Sequence, residues 1–136
     1  IVTKPPGAED IDLREVTIQW IDDSGTYNIV SEKSAKVGEG NNDGYFVINP
    51  VKDEDGSATI LNSPDDRMEL VMTLGADSEP DTVDPGSGPT TTPTTRMDLL
   101  TEGDSITLNV ATEDGSATTL RLNVPQSLSG QTAATL

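Results

Sequence analysis

Apolar residues recur along this chain at every second position, in short runs separated by turn-forming clusters. Val16, Ile18 and Trp20 alternate with Thr17 and Gln19. A period of two puts one set of side chains on each face of an extended backbone, so this run is predicted to be a half-buried strand. Asp22-Asp23-Ser24-Gly25 supplies a turn, and residues 26–30 form the returning arm of a hairpin. Tyr45-Phe46-Val47-Ile48 is too short for a helix and rich in strand-favouring types. Residues 58–61 sit between the acidic turn Asp53-Glu54-Asp55-Gly56 and a second turn, Asn62-Ser63-Pro64-Asp65-Asp66. Met68, Leu70, Met72 and Leu74 then alternate with Glu69, Val71 and Thr73. The plainest hairpin is the last: Ile106, Leu108 and Val110 lead through Glu113-Asp114-Gly115-Ser116 to Leu120, Leu122 and Val124.

About seven short strands at roughly 8–12 residue spacing, with almost no helical period, predict an all-β, immunoglobulin-like antiparallel β-sandwich. A single domain over residues 1–136 accommodates them. The inward set is expected to be Val16, Ile18, Trp20, Met68, Leu70, Met72, Ile106, Leu108, Val110, Leu120, Leu122 and Val124, with Trp20 the central aromatic. Residues 1–11, which hold Pro5-Pro6-Gly7, read as a polar lead-in, and residues 31–43 as a polar loop. Residues 75–96 break the pattern, with Pro80, Pro85, Pro89 and Pro93 and a threonine run. Too little apolar surface is available there to offset the entropy of ordering, so a long flexible Thr/Pro-rich loop is expected. Thr90, Thr91, Thr92, Thr94 and Thr95 are its candidates for O-linked glycosylation; an unmodified spacer is the alternative.

Composition narrows the chemistry. The 136 residues carry 24 Asp+Glu against 8 Lys+Arg, a net charge of −16, and no Cys or His. Disulfides, thiol catalysis, Cys/His zinc sites, histidine-dependent triads and His-ligated haem are thereby excluded. So acidic a surface repels phosphates, which argues against a nucleic-acid partner. No stretch approaches the roughly 20 apolar residues of a membrane span. Sixteen uncompensated charges on one small domain repel one another. Screening in about 1 M salt shortens the Debye length to about 3 Å and removes most of that cost. Adaptation to high salt is the functional reading of this acidity, and an ordinary acidic extracellular domain the bland one. Hydrophobic and aromatic contents of 32% and 3% lean toward disorder, but the strand periodicity argues for a fold.

Acids are abundant enough for paired-carboxylate catalysis, yet they cluster in Gly-bearing turns where water reaches them, so no enzymatic activity and no cofactor are expected. Cation binding by such turns has two candidates. Glu39-Gly40-Asn41-Asn42-Asp43-Gly44 resembles the start of a calcium loop, but Pro50 stands where the closing bidentate Glu belongs. The other candidate is the turn holding Asp53 and Asp55; for both, an ordinary solvated turn is the competing reading. Asn62-Ser63-Pro64 lacks the required third residue, and no N-glycosylation sequon occurs elsewhere.

The end of the chain carries a resemblance. Leu99-Leu100-Thr101-Glu102-Gly103-Asp104-Ser105-Ile106 runs through the final hairpin into Val124-Pro125-Gln126-Ser127-Leu128-Ser129-Gly130. This resembles the C-terminal end of haloarchaeal archaellins, the archaeal flagellins. Ile11-Asp12-Leu13-Arg14-Glu15-Val16 and Ser63-Pro64-Asp65-Asp66-Arg67-Met68 agree with it. The resemblance implies the outer domain of an extracellular filament that supports swimming. Its partners would be other copies of itself and paralogous archaellins, with possible bridging cations and no membrane contact in the mature filament. It also implies an apolar polymerising helix at the N-terminus, which this sequence lacks. Beginning at Ile1 without Met, the sequence is expected to start partway into its polypeptide. The missing sequons depart from the usual N-glycosylated archaellin. A cell-surface adhesin, pilin or S-layer module, and a small calcium- or sugar-binding domain, are the rival readings.

Overall fold

A computed structural model describes residues 1–34, 42–72, 74–75 and 97–126. Among these residues eight strands run in chain order: β1 (Ile11–Asp12), β2 (Thr17–Asp22), β3 (Gly25–Ser31), β4 (Gly44–Lys52), β5 (Ile60–Leu61), β6 (Arg67–Met72), β7 (Ser105–Ala111) and β8 (Ala117–Asn123). There is no helix among the described residues, and the fold is all-β, as the alternation predicts.

Six strands form one sheet in the order β6-β4-β3-β2-β7-β8, and β1 pairs with β5 in a separate two-stranded ribbon. The two hairpins read from sequence are present. β2 and β3 pair from Thr17↔Val30 to Asp22↔Gly25, and β7 and β8 from Ser105↔Asn123 to Ala111↔Ala117, without a register shift in either. The departure from an antiparallel plan is β3–β4, which is parallel over Ile29↔Gly44 to Ser31↔Phe46. Parallel neighbours need a crossover of about a dozen residues, and the polar stretch after β3 supplies that length. β4 extends further than its apolar run suggests, through Asn49-Pro50-Val51-Lys52, with a register irregularity against β6 between Pro50 and Lys52. Proline donates no backbone hydrogen bond. It is tolerated here because the β3 pairing has already ended at Phe46, so this part of β4 has β6 on one side only.

One face of the sheet carries the core: Val16, Ile18, Trp20, Ile29, Phe46, Ile48, Met68, Ile106 and Leu108, roofed by Leu13, Leu61 and Met97. Phe46 and Met68 are wholly buried. Most of the expected inward set is there, with Leu70, Met72, Val110 and Leu122 packed at its margin. Leu120 is the exception, at 47% exposure. Its alternation with Thr119 and Arg121 is correct, but β8 is the outermost strand, and among the described residues no second layer reaches over it. The sequence reading missed Leu13, Ile29, Phe46, Ile48, Leu61 and Met97 as core because they lie in runs too short or too uniformly apolar to display a period.

The lead-in is tied to the body rather than trailing from it. Val2 and Met68 exchange backbone hydrogen bonds of 2.7 and 3.1 Å, laying the N-terminal segment along the outer edge of β6. Lys4 is 9% exposed, and its ammonium donates to Asp10 and to the Asn62 carbonyl, both at 2.9 Å. The break predicted for residues 75–96 begins and ends at one point: the Gly75 N–H donates to the Met97 carbonyl at 2.8 Å.

Candidate functional site

The acidic turns were the chemistry-bearing candidates; in the one holding Asp53 and Asp55 the carboxylates close their own turn, whereas Asp43 of the other accepts from the Asn28 N–H on β3 at 2.9 Å. In the segment after β4, Asp53 accepts from the N–H groups of Gly56 (3.1 Å), Ser57 (3.2 Å) and Ala58 (2.7 Å). Gly56 at φ +72° and Ala58 at φ +41° turn the chain back so that these N–H groups converge on the carboxylate. Asp55 accepts from the Ser57 N–H at 3.0 Å and from the Asn62 amide at 2.5 Å. Donation from the Asn62 side chain, followed by that from Ser57, lowers the Asp55 pKa to about 2. Asp53 and Asp55 thus share one turn, and their oxygens are occupied by its backbone and by Asn62. Among the described residues no three acidic groups converge as metal ligands do.

The same arrangement recurs around the molecule. Asp22 binds Trp20 Nε1 at 2.8 Å and the Ser24 and Gly25 N–H groups at 2.8 and 3.1 Å. Partial burial there opposes ionisation, but the bonds from Ser24, Trp20 and the turn N–H groups outweigh it and hold the pKa below the usual carboxylate range. Asp66, buried, accepts from the Asn62 and Ser63 N–H groups at 3.0 and 2.8 Å. In the β7–β8 turn the Thr112 hydroxyl, then Ser116, hold Asp114 below its ordinary value. The Arg14 guanidinium binds Asp12 through both oxygens and lowers it likewise. Thr90, Thr91, Thr92, Thr94 and Thr95 lie outside the described residues, as do Glu39, Gly40 and Asn41.

A cleft of about 590 Å³ opens between the N-terminal segment and the turn end of the β7–β8 hairpin. Val2 and Leu70 line it from the β6 side, Val110 and Leu120 from the β7–β8 side, and Leu13 and Leu61 from between them. In a flat sheet those walls would stand about 19–24 Å apart, at about 4.8 Å per strand. The sheet therefore curls until its two ends face one cleft, which the short β1–β5 ribbon only partly fills. Glu9, Asp10, Glu113 and Asp114 rim the opening. This is a surface with an apolar floor and acidic edges.

Comparison with known proteins gives this surface its context. Flagellin A2 of Haloferax volcanii is 24% identical over 135 residues, covering 93% of this chain and 57% of its own length. Flagellin B1 of Halobacterium salinarum is 31% identical over 137 residues, covering 99% of this chain and 58% of its own length. The chain thus spans a little over half the length of the curated relatives it matches. Among solved structures, archaeal flagellin FlaB1 from Methanocaldococcus jannaschii superposes with a TM-score of 0.56 at 13% identity, over 92% of this chain and 76% of that one. At that identity the likeness speaks for the fold alone. The family described as archaeal-type flagellin matches residues 1–122, and by that match, which takes in most of its length, the chain belongs to the archaeal-type flagellin family.

Proposed function

We propose that this chain is the outer β domain of an extracellular filament subunit of the archaellum, and that its work is mechanical rather than enzymatic. The observation that carries the reading is the family match across residues 1–122. The fold suits the role: eight strands closed by carboxylate-stapled turns make a rigid, water-covered body with no catalytic constellation among the described residues. In this reading the domain coats a filament core, touches neighbouring copies and paralogous archaellins, and keeps the assembly hydrated while a motor turns it, which supports swimming. Contact between bodies that each carry a charge of −16 demands screening by molar salt or bridging cations.

Shearing filaments from the source cells and sequencing their proteins tests this. The reading requires peptides of this chain in the filament fraction, on a polypeptide with an additional apolar segment of about 20 residues. Recovery only from the cell envelope, with filaments built of other proteins, would assign the domain to a surface layer or adhesin. Intact mass of the same material reports any sugar on Thr90 to Thr95.

A further inference from the structure

The two edges of the six-stranded sheet are treated differently. The β6 edge is met by Val2, and the Pro50 irregularity lies on the strand next to it. The β8 edge has no described partner along its seven residues.

The hydrogen-bond pattern fixes which groups it presents. At one end of β8 the Ser116 carbonyl accepts from Thr112, and at the other the Val124 N–H donates to Asp104, so both residues face the β7 side. Direction alternates in an antiparallel ladder, so Thr118, Leu120 and Leu122 also face β7. Ala117, Thr119, Arg121 and Asn123 then point their N–H and C=O groups away from it, toward a side on which no described strand pairs. Edges of this kind template pairing with another chain, and proteins that stay apart block them with proline, bulges or several charges. β8 has no proline, its ladder with β7 has no bulge, and its one charge is Arg121. In a chain of net charge −16, a strand with one cation and no acid is where a second copy meets attraction instead of repulsion. Leu120, half exposed on the cleft wall beside this edge, offers apolar area to the same neighbour.

We propose that the outward edge of β8 is a copy-to-copy contact, taking an extended strand of a neighbouring subunit by backbone pairing, with Arg121 meeting an acidic group of that neighbour. The proposal rests on the filament reading. It also fixes the symmetry: β8 against β8 would close a two-fold dimer and end growth, whereas a growing filament needs β8 against a different strand of the next copy.

Hydrogen exchange of the native polypeptide tests it, comparing intact filaments with dissociated subunits in the same molar salt. The expected result is that the amides of Ala117, Thr119, Arg121 and Asn123 exchange at least about tenfold more slowly in filaments, while Thr118, Leu120 and Leu122 are slow in both states. Thr119→Pro removes an outward N–H and no backbone bond to β7, at the cost of the Thr119 hydroxyl's 2.9 Å bond to the Asn109 side chain. Filaments of that variant, and of Arg121→Glu, are expected to dissociate at higher salt than the wild type, with the variant subunits' remaining strands still protected. Equal exchange of the four outward amides in filaments and subunits overturns the proposal. So does full protection in dissociated subunits, which would mean that the chain's own residues already cover the edge. If the native polypeptide is absent from filaments altogether, the filament reading itself has failed, and the edge contact falls with it on that separate ground.

Discussion

Gly75 shows how much can rest on one residue. Its φ of +70° lies in the left-handed region, and a Cβ there would stand 2.5 Å from the Leu99 side chain. Gly115, at φ +87° in the β7–β8 turn, has nothing within 4 Å of the same position. Gly75→Ala is therefore expected to lower the unfolding free energy by about 1–3 kcal/mol, combining backbone strain with the clash, and Gly115→Ala by about 1 kcal/mol from strain alone. Urea unfolding of the two variants checks the order; equal losses would mean that the Leu99 contact is not rigid. Phe46, the largest of the wholly buried side chains, sits on the one parallel pair among the described strands. Phe46→Ala is expected to lose about 3–5 kcal/mol, enough to unfold a marginally stable domain.

At the scale of elements, the turns are held by their acids, and acid should loosen them. Asp12, Asp22, Asp55 and Asp114 all have folded-state values below the ordinary carboxylate range, Asp55 at about 2. A group lowered in the folded state contributes stability that is fully present above its unfolded value of about 3.9, and loses it as pH falls through the lower folded value. In molar salt, where the −16 self-repulsion is screened, stability should stay flat from neutral pH to about 5 and fall between about 4 and 2. Denaturant melts across that range read it directly; a stability that rises toward pH 2 would show that residual repulsion, not turn closure, governs the fold. The strands themselves were legible because alternation is a backbone property: Ile106, Leu108, Leu120 and Leu122 reveal their hairpin without any tertiary knowledge. What surrounds a strand leaves no mark in its own residues. Leu120 alternates as well as Leu108, yet one is half exposed and the other buried, because β8 is the edge and β7 is not. The parallel β3–β4 pair, the strand β1 and its pairing with β5 were likewise illegible, since each is set by a distant partner. The acids were legible as turn formers, but the closing of Asn62 on Asp55 and the burial of Asp66 depend on how separate turns pack, which no local pattern records.

For the whole molecule, the governing quantity is charge. With 24 acids and 8 cations, copies of this chain repel at any separation shorter than the Debye length, which grows from about 3 Å in 1 M salt to about 10 Å in 0.1 M. Filaments built from it should be stable in concentrated salt and come apart as salt is diluted, a transition that light scattering against ionic strength would follow. Indifference to dilution would mean that the outer domains contribute nothing to cohesion. The central claim is that this domain coats a filament. The measurement that tests it most directly is electron microscopy of source cells labelled with gold-conjugated antibody raised against residues 1–126. Gold spaced along the length of the cells' filaments is the result predicted; gold confined to the cell surface beside unlabelled filaments would contradict it.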